Sequence, residues 1–198
     1  MLGGMKRLAI AFLLVIASAA ALAQDLNRPL LLVAAPELQG GYHHTALLAI
    51  PLGNGRHFGF ILNRSTNVTL ARLYPDHAPS AKVTDPVYLG GPQSADALFA
   101  FTRRNPGEPS MRVLDELYLS GHAGVIDQVI EETPNDARYF AGYVAWTAGE
   151  LAAEIDAGYW YLGPADEETV LRHDTATLWD ELVARFSSER HAALGVFP

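Results

Sequence analysis

The stretch TALLAIPLGNGRHFGFILN, residues 45–63, constrains the fold more than any other part of the chain. Two apolar arms flank Gly53-Asn54-Gly55. Asn and Gly are the residues that tolerate positive φ at a two-residue turn, so the stretch predicts an antiparallel hairpin. The same reading excludes a dinucleotide site. GNGRHFG has a G-x-G start but lacks the third glycine at the right spacing. It also joins strand to strand, whereas a phosphate-binding turn joins strand to helix.

The flanking segments extend this pattern. RPLLLVAA (residues 28–35) is a short apolar run closed by Pro36, which predicts a buried strand. PVYLGG and ALFAFTRR read as a strand pair, and MRVLDELYLSG leans to strand. RYFAGYVAW is aromatic and β-branched, as a central strand would be. VTLARLY predicts one short helix, and GVIDQVIEETP a longer one ending before Pro134. TAGELAAEIDAG predicts a helix capped by Thr147 and stopped at Gly158. YWYL is a short strand, followed by helices in DEETVLRH and TATLWDELVARF. Strands and helices mix without a βαβ alternation, so the expectation is an α+β domain with a mostly antiparallel sheet.

Lys6-Arg7, the apolar run from Leu8 to Ala23 and the small residues Ala21 and Ala23 follow the layout of a signal peptide. Residues 1–23 are therefore read as a cleaved leader and residues 24–198 as one domain. The alternative is an uncleaved membrane anchor, for which the run is short. Met5 would serve equally as a start. Cleavage removes two cations and no acid, taking the net charge from −8 to −10. The expected location is periplasmic or secreted, with no membrane span after cleavage. With no Cys there are no disulfides, so the fold rests on its core. An acidic chain also lacks the basic surface that non-specific nucleic-acid binding requires, and no nucleic-acid partner is expected.

The sequence carries no recognisable catalytic motif. There is no G-x-S-x-G elbow, no Walker-type lysine, no cysteine nucleophile and no H-E-x-x-H pair among the seven histidines. No metal or cofactor is expected. Asn63-Arg64-Ser65 and Asn67-Val68-Thr69 are glycosylation sequons. Asn63 closes an apolar strand, which favours a turn role for it.

Several motifs in order resemble the YqgE/AlgH family of small bacterial proteins: APELQGGYHHTALLAI, FGFILNR, VYLGGP, YVAWTAGELAAEIDAGYW and LW. The resemblance runs from about Leu30 to the region of Trp179. The sequence departs from the family pattern at Gly40-Gly41-Tyr42, at His44-Thr45 and at Glu150, and its leader sets it apart from members that look cytosolic. The resemblance implies a barrel-like, branching β-sheet flanked by helices. It implies little about activity, since members are often labelled transcriptional regulators without a DNA-binding motif or known catalytic residues.

The expected function is that of a non-enzymatic binding or accessory protein in the envelope. The candidate ligand-binding residues are Asn63, Arg64, Gly90, Gly91, Tyr143 and Trp146, with no catalytic residue assigned. Arg64 beside glycine N–H groups would suit a small anion or carboxylate. Its alternative is a structural ion pair with Asp85 or Glu150. The rival readings are an enzyme with a polar site near Asn63, Arg64, His44 and Tyr143, and a transcriptional regulator. Gly90-Gly91-Pro92 itself favours a backbone role, because glycine permits close approach and Pro92 fixes the next step.

Overall fold

A computed structural model of the chain describes residues 25–193, so the leader read at residues 1–23 lies outside the described residues. The hairpin forms where the turn chemistry puts it. β2 (Ala46–Gly53) and β3 (Arg56–Ile61) are joined by Asn54 and Gly55. Both turn residues have positive φ, 53° and 71°, as a type I′ turn requires.

β1 (Leu30–Ala34) lies between β2 and β10 (Trp160–Pro164), antiparallel to both. Its five residues are all buried. Leu31 and Val33 join one core cluster with Leu178, Leu182 and Phe186 of α5 (Leu178–Ala193). Leu32 and Ala34 join a second cluster with Leu151 of α3 (Glu150–Asp156) and Trp160. A strand covered on both faces reads as a continuous apolar run, and this one does.

β9 (Ala137–Trp146) is the strand at which the sheet branches. β6 (Gln93–Thr102) runs antiparallel to it, followed in order by β8 (Leu117–Ser120) and β7 (Met111–Leu114). β3 pairs with the C-terminal part of β9, through His57–Trp146 to Gly59–Val144. β5 (Pro86–Leu89) runs parallel to the middle of β9, and β4 (Ser65–Thr69) pairs with β5. The result is a ten-stranded, mostly antiparallel, curled half-barrel with helices on its faces, an α+β fold. Val125, Ile126, Val129 and Ile130 of α2 (Ala123–Glu132) are buried, and the last three join one cluster with Val87, Ala100 and Tyr139. Among the described residues no helix is long and apolar enough to cross a membrane.

Three local expectations change. PVYLGG and ALFAFTRR are both strands but not a pair, because β9 lies between β5 and β6. The helix in VTLARLY is limited to α1 (Leu70–Leu73), capped by the Thr69 hydroxyl, while Val68 stays in β4. Thr147 does not cap α3. Its backbone N–H and its hydroxyl both donate to the Glu150 carboxylate, and the capping position falls to Gly149 at φ 82°. The stop at Gly158 is as expected. Gly158 donates to Ile155 and Tyr159 to Glu154, the paired bonds of a Schellman end.

The double glycine is a backbone crossing. A Cβ on Gly90 would lie 2.3 Å from the Gly142 carbonyl oxygen, and one on Gly91 would lie 2.2 Å from the Tyr143 carbonyl carbon. Gly142, at φ 68°, faces back onto the Gly91 carbonyl. Past this crossing β6 bulges: it advances five positions, from Gln93 to Leu98, while β9 advances two, from Tyr143 to Ala141.

Candidate functional site

A groove of about 660 Å³ opens where the branch strands β4 and β5 meet the loop between α4 (Glu167–Leu171) and α5. Asn63, Arg64 and Thr66, Asp85, Tyr88 and Leu89, and the loop from His173 to Ala176 all line it. A second cleft of about 750 Å³ lies between the ends of β6, α2 and α4, and His173 lines both.

Asn63 serves the backbone. Its Oδ1 accepts from the Ala46 N–H at 3.0 Å and its Nδ2 donates to the His44 carbonyl at 2.9 Å, which fixes the entry to β2. The Arg64 carbonyl accepts from the Leu89 N–H at 2.8 Å, so this residue joins the two branch strands. One Nη of Arg64 donates to the Gly41 carbonyl. No carboxylate among the described residues forms an ion pair with Arg64, so the expected alternatives Asp85 and Glu150 are not its partners.

Asp85 instead pairs with Nδ1 of His173. The Tyr88 hydroxyl donates to the His173 carbonyl at 2.7 Å, which fixes the same residue through its backbone. Beneath Tyr88 lies Arg138, fully buried on β9, with its guanidinium 4.0 Å from the Tyr88 ring centre and 5.0 Å from that of Phe140. Its two Nη atoms donate to the carbonyls of Val170 and Leu62, each at 2.7 Å, and its Nε has no partner. Burial is the main cause that lowers its pKa to about 10. No carboxylate among the described residues pairs with it. Tyr88 thus rests on a buried cation that links β9 to α4 and to Leu62, just past β3, through backbone acceptors.

The other candidates lie elsewhere. The Gly90 N–H donates to Ala141 and its carbonyl accepts from Ile61, both at 2.8 Å, so its backbone groups are already paired within the sheet. Gly91 is buried in the crossing. Tyr143 packs edge-on against Phe99, with ring centres 5.8 Å apart. Trp146 donates from Nε1 to Glu154 Oε2 at 2.9 Å, and Trp160 donates to the same oxygen at 2.8 Å. His44 stacks on Trp179 at 3.8 Å. Tyr42 lies near this aromatic cluster, and its hydroxyl pKa is raised, first by burial and then by the Glu154 charge, with Arg64 opposing. Of the six candidates, only Asn63 and Arg64 reach the groove. Among the described residues no group of three or more His, Asp or Glu side chains is placed to hold a metal ion.

Sequence reasoning missed Tyr88, Arg138 and His173 as one unit. One signal was available: Arg138 is a charged residue inside the otherwise apolar ARYFAGYVAW strand. Its partners are backbone carbonyls from distant segments, which no spacing rule finds.

Comparison with known proteins agrees with this architecture. A protein of Corynebacterium diphtheriae, solved by crystallography, shares the fold with a TM-score of 0.66 at 24% identity, over 79% of this chain and 85% of that one. The solution structure of the AlgH protein from Pseudomonas aeruginosa matches with a TM-score of 0.61 at 25% identity, over 89% and 93% of the two chains. Among curated relatives, a UPF0301 protein of Thermobifida fusca is 30% identical over 150 residues, covering 71% of this chain and 75% of its own. Another, from Chlorobaculum parvum, is 27% identical over 158 residues, covering 78% and 83%. The AlgH-like family profile matches residues 31–191, from the second residue of β1 into α5, and the chain belongs to that family.

Proposed function

We propose that the protein is a non-enzymatic binding or accessory protein of the cell envelope, and that its groove takes a small ligand with a carboxylate or comparable anionic group. The observation that carries this reading is Arg64. It lines a cavity of suitable size, has no carboxylate partner among the described residues, and carries guanidinium donors beyond the Nη that the Gly41 carbonyl holds. The test is a thermal-shift screen of small carboxylates and phosphates on the wild type and on Arg64→Ala. A ligand at about a hundred times its Kd adds about 2.7 kcal/mol to the wild type. Arg64→Ala should keep a near-normal melting temperature and lose the ligand-induced rise. A panel that never moves the wild-type melting temperature overturns the reading.

A second reading, an enzyme using the same groove, draws on the oriented imidazole. Asp85 holds Nδ1 of His173, which leaves Nε2 as the acceptor of the neutral ring. Turnover of a bound ligand, lost in His173→Gln, would favour it. Transcriptional regulation fits less well with a net charge of −8 and with the export expected from the leader.

A further inference from the structure

The groove holds charges of both signs that do not neutralise each other. Arg64, Asp85 and Asp174 all line it. Neither acid pairs with Arg64. Asp85 has one carboxylate oxygen on His173. Asp174 accepts from the Ala176 N–H through Oδ1 at 3.2 Å, and its backbone carbonyl accepts from Arg172. A plain anion drawn to Arg64 would therefore face two carboxylates in the same cavity. A plain cation would face the guanidinium.

We infer that the groove takes a small zwitterion, an amino acid or short peptide with free ammonium and carboxylate ends. This rests on the binding reading above and names its ligand class. The carboxylate meets the Arg64 fork, which matches it in shape. The ammonium meets the carboxylates of Asp85 and Asp174. Tyr88 and buried Arg138 hold this end in place from below. A cavity of about 660 Å³ has room for a dipeptide.

The test uses three probes: alanyl-alanine, its N-acetyl form without the positive end, and its amide without the negative end. Backbone amide shifts of the purified protein are followed in an NMR titration. Free dipeptide should perturb residues 63–66 and 173–176 and bind about tenfold tighter than either blocked form, a single charge contact's worth of affinity. Asp174→Asn keeps an acceptor for the Ala176 N–H, so the loop should stay intact; it should bring the free dipeptide down to the N-acetyl form. Arg64→Gln should bring it down to the amide. An N-acetyl form that binds as tightly as the free dipeptide overturns the zwitterion and leaves the carboxylate site standing. So does a failure of every peptide while the anion screen succeeds. An amide that binds as tightly as the free dipeptide removes both readings, as does silence in both experiments.

Discussion

At the scale of single residues, the polar groups that matter most are those held by more than one partner. Glu154 is the clearest case. One of its oxygens accepts from two indoles, Trp146 on β9 and Trp160 on β10, which are 4% and 3% exposed. The block from Tyr143 to Trp160 is thereby one clamp, with α3 supplying the acceptor for two strands. Glu154→Ala leaves two buried N–H donors without a partner and should cost about 2–4 kcal/mol. Glu154→Gln keeps an acceptor oxygen and should recover most of that. The check is the urea midpoint at unchanged m-value; an unaltered midpoint in the alanine variant would remove the clamp argument. Arg138 shows the opposite economy. Its charge is destabilised by burial, and its pKa is lowered to about 10. A base with a lowered folded value loses stability in its charged form, and the loss is relieved only as pH rises from about 10 toward the unfolded value. Near neutral pH the term is constant, so Arg138 adds no pH dependence there.

At the scale of elements, the sheet branches because three glycines let two strands cross. The neighbours that a Cβ on Gly90 or Gly91 meets include backbone atoms of β9, which cannot swing aside as a side chain does. Gly90→Ala and Gly91→Ala should each destabilise the protein by about 3 kcal/mol or more, at or beyond the top of the usual overpacking range. Gly41→Ala is the control: nothing lies within 4 Å of its added Cβ, and its φ is not in the left-handed range. Chemical denaturation of the three variants checks the contrast. A Gly91→Ala variant as stable as Gly41→Ala would mean that the strands can part at no cost. The same crossing explains the strand-pairing error. Two consecutive apolar runs with a short link normally pair, but here the link passes over β9 and places one run on each side of it.

At the scale of the whole molecule, the segment just before β1 is tied to the hairpin. The Leu26 carbonyl already accepts a hydrogen bond from Nε2 of buried His57 at 2.8 Å. With cleavage after Ala23, the mature chain would start at Gln24 and keep this tie. Fractionation followed by N-terminal sequencing should find the protein in the periplasm, beginning at Gln24. Full-length protein in the cytosol would overturn the export reading and the envelope role with it.

The sequence by itself determined the elements whose cause is local. Asn54-Gly55 set the hairpin because few other residues accept positive φ at both turn positions. Gly158 ended α3 for the same reason, and the apolar run of β1 announced a strand covered on both faces. Motif order was enough to indicate the family. What only the tertiary structure decided depends on contacts between distant segments. The groove is assembled from residues 63–66, 85–89 and 173–176, and the cation beneath it is held by carbonyls of Leu62 and Val170. Thr147 lost its capping role to Gly149 through a side-chain bond to Glu150. Gly90-Gly91 was legible as a place where a backbone comes close, but which backbone it meets was not. A glycine records that a side chain is absent, and only the folded chain says what occupies the space.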